Sequence, residues 1–173
     1  MPENLDQFDL TATLRALIEG DAIDVRTSEQ AFLALLSGQF DDAQIGALLA
    51  LIQTQPPNAQ TLTGAARAMR ANVQRVPYTV KPGETLLDTC GTGGAPKSFN
   101  VSTAAAIVAA AVTPPAGSSV SRVVVAKHGN RSRTGRGSAE VLETLGVRVD
   151  ASPQQQATCL EKAGVCFCFA IHH

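Results

Sequence analysis

At 173 residues the chain has room for about one domain of ~100–200 residues, or for a small domain joined to part of a larger one. Its 45% hydrophobic and 17% charged residues belong to a chain that buries a core, which excludes a disordered acidic or basic segment. Fourteen Lys+Arg against fifteen Asp+Glu give a net charge of -1, and aromatics are only 4% with no tryptophan and Tyr78 the single tyrosine, so there is no overall field for a polyanion and few stacking platforms for nucleic acid.

Residues 9–73 read as four helices. Leu10, Leu14, Leu17 and Ile18 recur at helical spacing before Gly20. Thr27 with Gln30 makes a capping-box pattern ahead of Phe32, Leu33, Leu35 and Leu36, and Gly38 stops that run. Asp41 or Asp42 caps the third, which Pro56-Pro57 ends, and the fourth runs from about Gln60 to Val73 through Gly64-Ala65-Ala66. Val76-Pro77 through Lys81-Pro82-Gly83 has the proline spacing of a linker. The expected organisation is a helical domain over 1–75, a linker over 76–84 and an α/β domain over 85–173.

In that last region short apolar runs alternate with helical patterns. Strands are expected over 85–89, 122–126, 147–149 and 165–171, and helices over 102–112, 138–145 and 153–163, the alternation of a parallel sheet with crossover helices. The fold class is therefore α/β, with an amino-terminal all-helical domain before the first part of a parallel-sheet domain. The run Val165-Cys166-Phe167-Cys168-Phe169-Ala170-Ile171 is apolar at both parities and expects cover on both faces, yet only His172-His173 follow it. That ending is expected of a longer polypeptide cut short.

No apolar run approaches the ~20 residues of a membrane span, and Met1-Pro2-Glu3-Asn4 lacks the basic start of a secretory signal, so the expected location is cytoplasmic. Cys90, Cys159, Cys166 and Cys168 show no paired zinc spacing and are expected as reduced thiols serving as small apolar residues.

Three polar segments could carry chemistry. After the first strand, Gly91-Thr92-Gly93-Gly94 lets the backbone turn and bring amides against an anion, although a plain turn has the same composition. Pro96-Lys97-Ser98 stands where a nucleotide P-loop needs Gly-Lys-Ser, and the proline removes a donor. Asn100-Val101-Ser102-Thr103 then opens a helix, either as ordinary capping or as a cluster of amide, hydroxyls and helix dipole suited to phosphate. Lys127-His128-Gly129-Asn130-Arg131 follows the second long strand at the same sheet edge, offering two cations to a polyphosphate. His128 reads either as a structural hydrogen bonder or as a proton-transfer group, and Ser138 as an N-cap or a phosphate ligand.

In order and spacing, these three segments resemble the anthranilate phosphoribosyltransferases of tryptophan biosynthesis, within the wider nucleoside phosphorylase/phosphoribosyltransferase family. The resemblance extends through Leu36-Ser37-Gly38, Gly64 to Arg70 and Gly164-Val165, over nearly the whole chain. It implies transfer of the 5-phosphoribosyl group from phosphoribosyl pyrophosphate to the amino group of anthranilate, with magnesium assistance. It also implies a homodimer formed through the helical domain. Matching positions imply that Gly91, Gly94, Asn100, Ser102, Thr103, Lys127 and Ser138 contact phosphoribosyl pyrophosphate, with Ser102 also reaching magnesium. Gly91 and Asn130 would line the anthranilate site, and no residue acts as a covalent catalyst.

The chain departs from the family pattern in three ways. Ala95 stands where the family has Asp, Pro114-Pro115 lie in an insertion, and the second half carrying an arginine and an Asp-Glu pair is missing. The expectation is an amino-terminal portion that is inactive alone. The alternatives are a non-catalytic phosphate-binding or dimerisation module, and a nucleoside phosphorylase-like enzyme.

Overall fold

The computed structural model describes residues 8–56, 58–91, 99–132 and 135–171. The chain forms two compact units, Met1–Val73 and Gln74–His173. Among the described residues no helix is long and apolar enough to cross a membrane.

The first unit holds α1 (Leu10–Glu19), α2 (Val25–Leu36), α3 (Asp42–Thr54) and α4 (Ala59–Ala71). Each start is fixed by a side-chain cap: Asp9, Asp24, Asp41 and Asn58 accept backbone amides of the first turn. Asp41 makes a full capping box with Gln44. The expected Thr27–Gln30 box of α2 does not form, because the Asp24 carboxylate, three residues upstream, accepts the Thr27 amide at 2.7 Å. Leu17, Ile23, Ala31 and Leu48 make the core, flanked by Leu14, Leu35, Leu51 and Ile52. Helices α2 and α4 pack together closely, and their buried residues are small, Ser28, Ala31 and Ala34 in one and Thr61, Gly64 and Ala68 in the other. At their crossing the Ser28 hydroxyl donates to the Thr61 carbonyl at 2.7 Å.

The second unit contains β1 (Glu84–Leu87), α5 (Val101–Ala111), β2 (Arg122–Gly129), α6 (Ser138–Thr144), α7 (Pro153–Ala163) and β3 (Val165–Phe169). The three strands are parallel in the order β1-β2-β3. Val125 pairs with Val165 and Gly129 with Phe169, so alternate residues of β2 and β3 share faces. One face sets Phe167 and Phe169 against Ala139, Leu142 and Val149. The other sets Val124, Cys166 and Cys168 against Leu160 of α7, with Val76 and Tyr78 packed beside them. The terminal strand is thus covered on both faces, as its unbroken apolar run requires.

The details differ from the sequence reading in several places, and β3 ends at Phe169 where a strand was expected to residue 171. Strand β2 runs three residues past Ala126, because Lys127, His128 and Gly129 pair with Phe167, Cys168 and Phe169. Strand β1 stops at Leu87, where the Asp88 carboxylate takes the His128 amide at 3.0 Å in place of a ladder carbonyl. Residues 147–149 form no strand. Gly146 turns the chain with φ 81°, the Val147 amide closes on the Leu142 carbonyl, and Val149 buries its side chain without a strand partner. Of the cysteines, Cys166 and Cys168 are buried with their sulfurs 3.8 Å apart, while Cys90 and Cys159 are exposed, so apolar packing describes only one pair. The contact with Cys168, reinforced by burial, pushes the Cys166 thiol well above its ordinary value.

Candidate functional site

The carboxyl edge of the sheet collects the polar segments, as an open parallel sheet does at the ends of its strands. Lys127 lies on β2 with 2% of its surface exposed. Its ammonium donates to the Ser102 hydroxyl and to the His128 carbonyl, both at 3.2 Å. Among the described residues no carboxylate pairs with it. Burial therefore pulls its pKa below the ordinary lysine value, and Asp88 opposes that shift only in part.

Ser102 is held from both sides, since its carbonyl accepts from the Thr89 hydroxyl at 2.8 Å. The next residue, Thr103, is buried and donates to the Ser138 hydroxyl at 3.0 Å. Asn100 reaches the Gly137 carbonyl at 3.4 Å. Three sequence-distant segments, 100–103, 127–128 and 137–138, are thereby joined.

Helices α1 to α4 and α7 all begin with a side-chain cap, but α5 does not. Asn100 holds the cap position of α5 without capping, and Ser102 lies within the helix. Ordinary capping is therefore not what these residues do. In the first turn of α5 the Val101 amide donates to the Phe99 carbonyl at 2.8 Å and the Thr103 amide to the Asn100 carbonyl at 3.1 Å, which leaves the Ser102 amide and the positive end of the dipole at the place where the hydroxyls and the lysine meet. Ser138 is the first residue of α6 and not its cap, a position held by Gly137.

Two glycines make the close approach possible. A Cβ on Gly129 would stand 2.7 Å from the Phe167 ring and 3.2 Å from the Ser138 Cβ. One on Gly137 would stand 2.6 Å from the Ser132 amide nitrogen and 2.8 Å from the Asn130 carbonyl. Gly91 is exposed, and among the described residues nothing lies within 4 Å of its Cβ position, so none of them demands glycine there. Gly94 lies outside the described residues.

Asn130 is exposed, and its side-chain oxygen accepts the Arg131 amide at 2.7 Å. Arg131 is not a free phosphate donor, because its guanidinium is held by Glu143 at 2.8 and 2.5 Å. His128 contributes its backbone amide to Asp88 and its carbonyl to Lys127. The sequence reading missed Asp88, Thr89 and Glu143 as partners of the site. A polar residue directly after a strand was the available signal for the first two.

Magnesium was expected at Ser102. That hydroxyl already faces the Lys127 ammonium, and among the described residues no group of three or more His, Cys, Asp or Glu side chains could hold a metal. These residues fit a magnesium ion as one neutral contact at most, not as a site of their own.

A helical unit followed by a parallel α/β unit gathers a helix start without a side-chain cap, hydroxyls and a buried lysine at one sheet edge, chemistry that suits an anion. The family model for the glycosyl transferase family a/b domain matches residues 83–173, and that for the helical bundle domain of the same family matches 11–73. The chain belongs to this glycosyl transferase family. An anthranilate phosphoribosyltransferase of Acidithiobacillus ferrooxidans is 42% identical over 162 residues, covering 92% of this chain and 44% of the relative. One from Methylobacterium radiotolerans is 44% identical over 156 residues, covering 89% of this chain and 41% of the relative. The crystal structure of anthranilate phosphoribosyltransferase from Thermus thermophilus superposes with a TM-score of 0.71 at 31% identity, covering 92% of this chain and 45% of that one. The chain thus spans less than half the length of the curated relatives it matches.

Proposed function

We propose that this chain provides the phosphoribosyl pyrophosphate-binding part of an anthranilate phosphoribosyltransferase, which moves the 5-phosphoribosyl group to the anthranilate amine in tryptophan biosynthesis. The names of its relatives support the substrate pair. The observation that carries the reading is the cluster of Lys127, Ser102, Thr103 and Ser138 around the uncapped start of α5. Its ammonium, hydroxyls and the Ser102 amide suit the oxygens of a departing pyrophosphate, and Asn100 belongs to the same cradle.

The chemistry asks for positioning and charge stabilisation, not for a covalent catalyst. As the bond to the anomeric carbon breaks, negative charge grows on the pyrophosphate. A buried lysine, neighbouring hydroxyls and the positive end of the α5 dipole, fixed beforehand, stabilise that charge without reorganising. In this reading Gly91 and Gly94 contact phosphoribosyl pyrophosphate, and Gly91 with Asn130 would border the anthranilate. Ser102 would be the described residue to hold a magnesium ion, which when bound would supply charge stabilisation to the pyrophosphate oxygens. The protein is proposed to act in the cytoplasm and to pair through its helical unit, which exposes Ile18, Leu62 and Met69.

Calorimetry of the 173-residue chain with phosphoribosyl pyrophosphate and magnesium tests the reading. Saturable binding that Lys127→Ala abolishes supports it. Binding of inorganic phosphate together with a nucleoside would move the assignment to a phosphorylase, and binding of neither ligand would leave a non-catalytic module.

A further inference from the structure

Arg131 has the composition of a phosphate ligand and the contacts of something else. Its two terminal nitrogens take both oxygens of Glu143, at 2.8 and 2.5 Å, and its guanidinium carbon sits 5.6 Å from the centroid of the Phe169 ring. Phe169 is itself buried at the end of β3, opposite Gly129 in the ladder. One turn earlier on α6, Glu140 accepts the Ser132 amide at 3.1 Å. Two carboxylates spaced i, i+3 on one helix therefore hold two consecutive residues of the turn that follows β2.

The packing around this turn leaves no slack. The missing Cβ of Gly137 makes room for the Asn130 carbonyl, the Ser132 amide and a Glu140 oxygen, all within 2.8 Å of where it would stand. The start of α6 also carries Ser138, which Thr103 contacts at 3.0 Å. A shift of the 130–132 turn against α6 would thus move Asn130 and Ser138 relative to each other.

We propose that Arg131 is a positioning residue: clamped between Glu143 and the Phe169 ring, it fixes the 130–132 turn on α6 and so sets the relation of Asn130 to the Lys127–Ser138 cradle. That the cradle takes phosphoribosyl pyrophosphate rests on the function proposed above; the clamp itself does not. Arginine suits the role where lysine does not, because its planar fork meets both carboxylate oxygens while its face lies on the ring. An exposed ion pair alone contributes little, and the two-point geometry together with the ring is what makes this one directional.

The test uses the full chain and four variants: Arg131→Ala, Arg131→Lys, Glu143→Gln and the reversal Arg131→Glu with Glu143→Arg. Hydrogen exchange of the 131 and 132 amides is measured without ligand, and affinity is measured for phosphoribosyl pyrophosphate and for inorganic pyrophosphate. The clamp predicts exchange about tenfold faster in Arg131→Ala and Glu143→Gln, several-fold weaker binding in both, no rescue by lysine, and substantial recovery in the reversal. A phosphate-ligand role predicts the opposite for Glu143→Gln, which would release the guanidinium and tighten binding. Unchanged exchange in both single variants overturns the clamp. Should Arg131→Ala fail to fold, Glu143→Gln and Arg131→Lys decide by the same readouts. Faster exchange in a chain that binds neither anion would keep the clamp and sink the phosphoribosyl reading.

Discussion

The Lys127 ammonium, with 2% of the residue exposed, donates at 3.2 Å to the hydroxyl of Ser102, a residue 25 positions earlier in the chain. A buried cation without a carboxylate partner costs the free protein stability. It retains its value if an anion is the partner it awaits. Lys127→Met should therefore raise the melting temperature while weakening phosphoribosyl pyrophosphate about ten- to a hundredfold, since a charge-assisted hydrogen bond contributes roughly 1.5–3 kcal/mol. Anthranilate affinity should change less. Loss of stability together with unaltered anion binding would make Lys127 a structural residue.

The same lysine sets a pH dependence. Burial holds its folded pKa below the ordinary 10.5, so between the two values the unfolded chain binds more protons. Its destabilising effect is fully present below the folded pKa and disappears as pH rises through that window toward 10.5. Anion binding runs the other way, because it needs the charged form. Affinity measured at rising pH should begin to fall below 10.5, with proton uptake on binding across that range, and Lys127→Arg should flatten the profile.

Much of this architecture is legible in the sequence where the determinants are local. Asp41 with Gln44, and Ser152 with Gln155 after which Gly164 closes the helix, form their caps within a few residues of each other. What was not legible is set by distant partners. Lys127 and His128 look like loop residues until Phe167 and Cys168 pair with them, and the end of β1 depends on a bond between Asp88 and His128, 40 residues apart. Likewise the charge of Arg131 gives no hint that Glu143 and Phe169 claim it. The helix start and the Lys-His-Gly-Asn-Arg run were visible as motifs, but their joining through Lys127 and Ser102, and the bond from Thr103 to Ser138, belong to the fold.

At the other end of the sheet, Glu84 gathers the segment before β1. The Tyr78 hydroxyl donates to it at 2.6 Å, the Lys81 amide at 2.9 Å and Arg122 at 3.1 Å. The Tyr78 bond, followed by that from Lys81, holds the Glu84 carboxyl below its ordinary 4.5. A depressed carboxylate stabilises the fold above its unfolded pKa and loses that contribution as pH falls through the folded value. Acid unfolding of the second unit should therefore be shallower in Glu84→Gln than in the parent. Tyr78 is shifted upward from 10.0 by the same bond, so its contribution holds below that value and is lost as pH rises through the folded pKa. Tyr78→Phe should flatten both limbs, and unchanged limbs would show that the cluster does not couple to folding.

Two glycines inside helices should respond to alanine with opposite signs. Gly64 lies in α4 where an added Cβ would stand 2.5 Å from the Ser28 Cβ and 2.6 Å from the Glu29 nitrogen, with the Val25 carbonyl also in its way. Backbone of α2 cannot give as a flexible side chain does, so the helices must separate. Overpacking of this kind costs about 1–3 kcal/mol, more than the ~1 kcal/mol that alanine gains over glycine in a helix. Gly46 in α3 has nothing within 4 Å of its Cβ position, so Gly46→Ala keeps the propensity gain alone. Denaturant unfolding followed by far-ultraviolet circular dichroism should show a lower midpoint for Gly64→Ala and a higher one for Gly46→Ala. Ser28→Ala combined with Gly64→Ala tests the source of the cost: it removes only the hydroxyl, leaving the Ser28 Cβ position and the α2 backbone in place, so the double variant should not recover. Recovery would assign the penalty to crowding of the Ser28 hydroxyl and not to the close approach of the two helices.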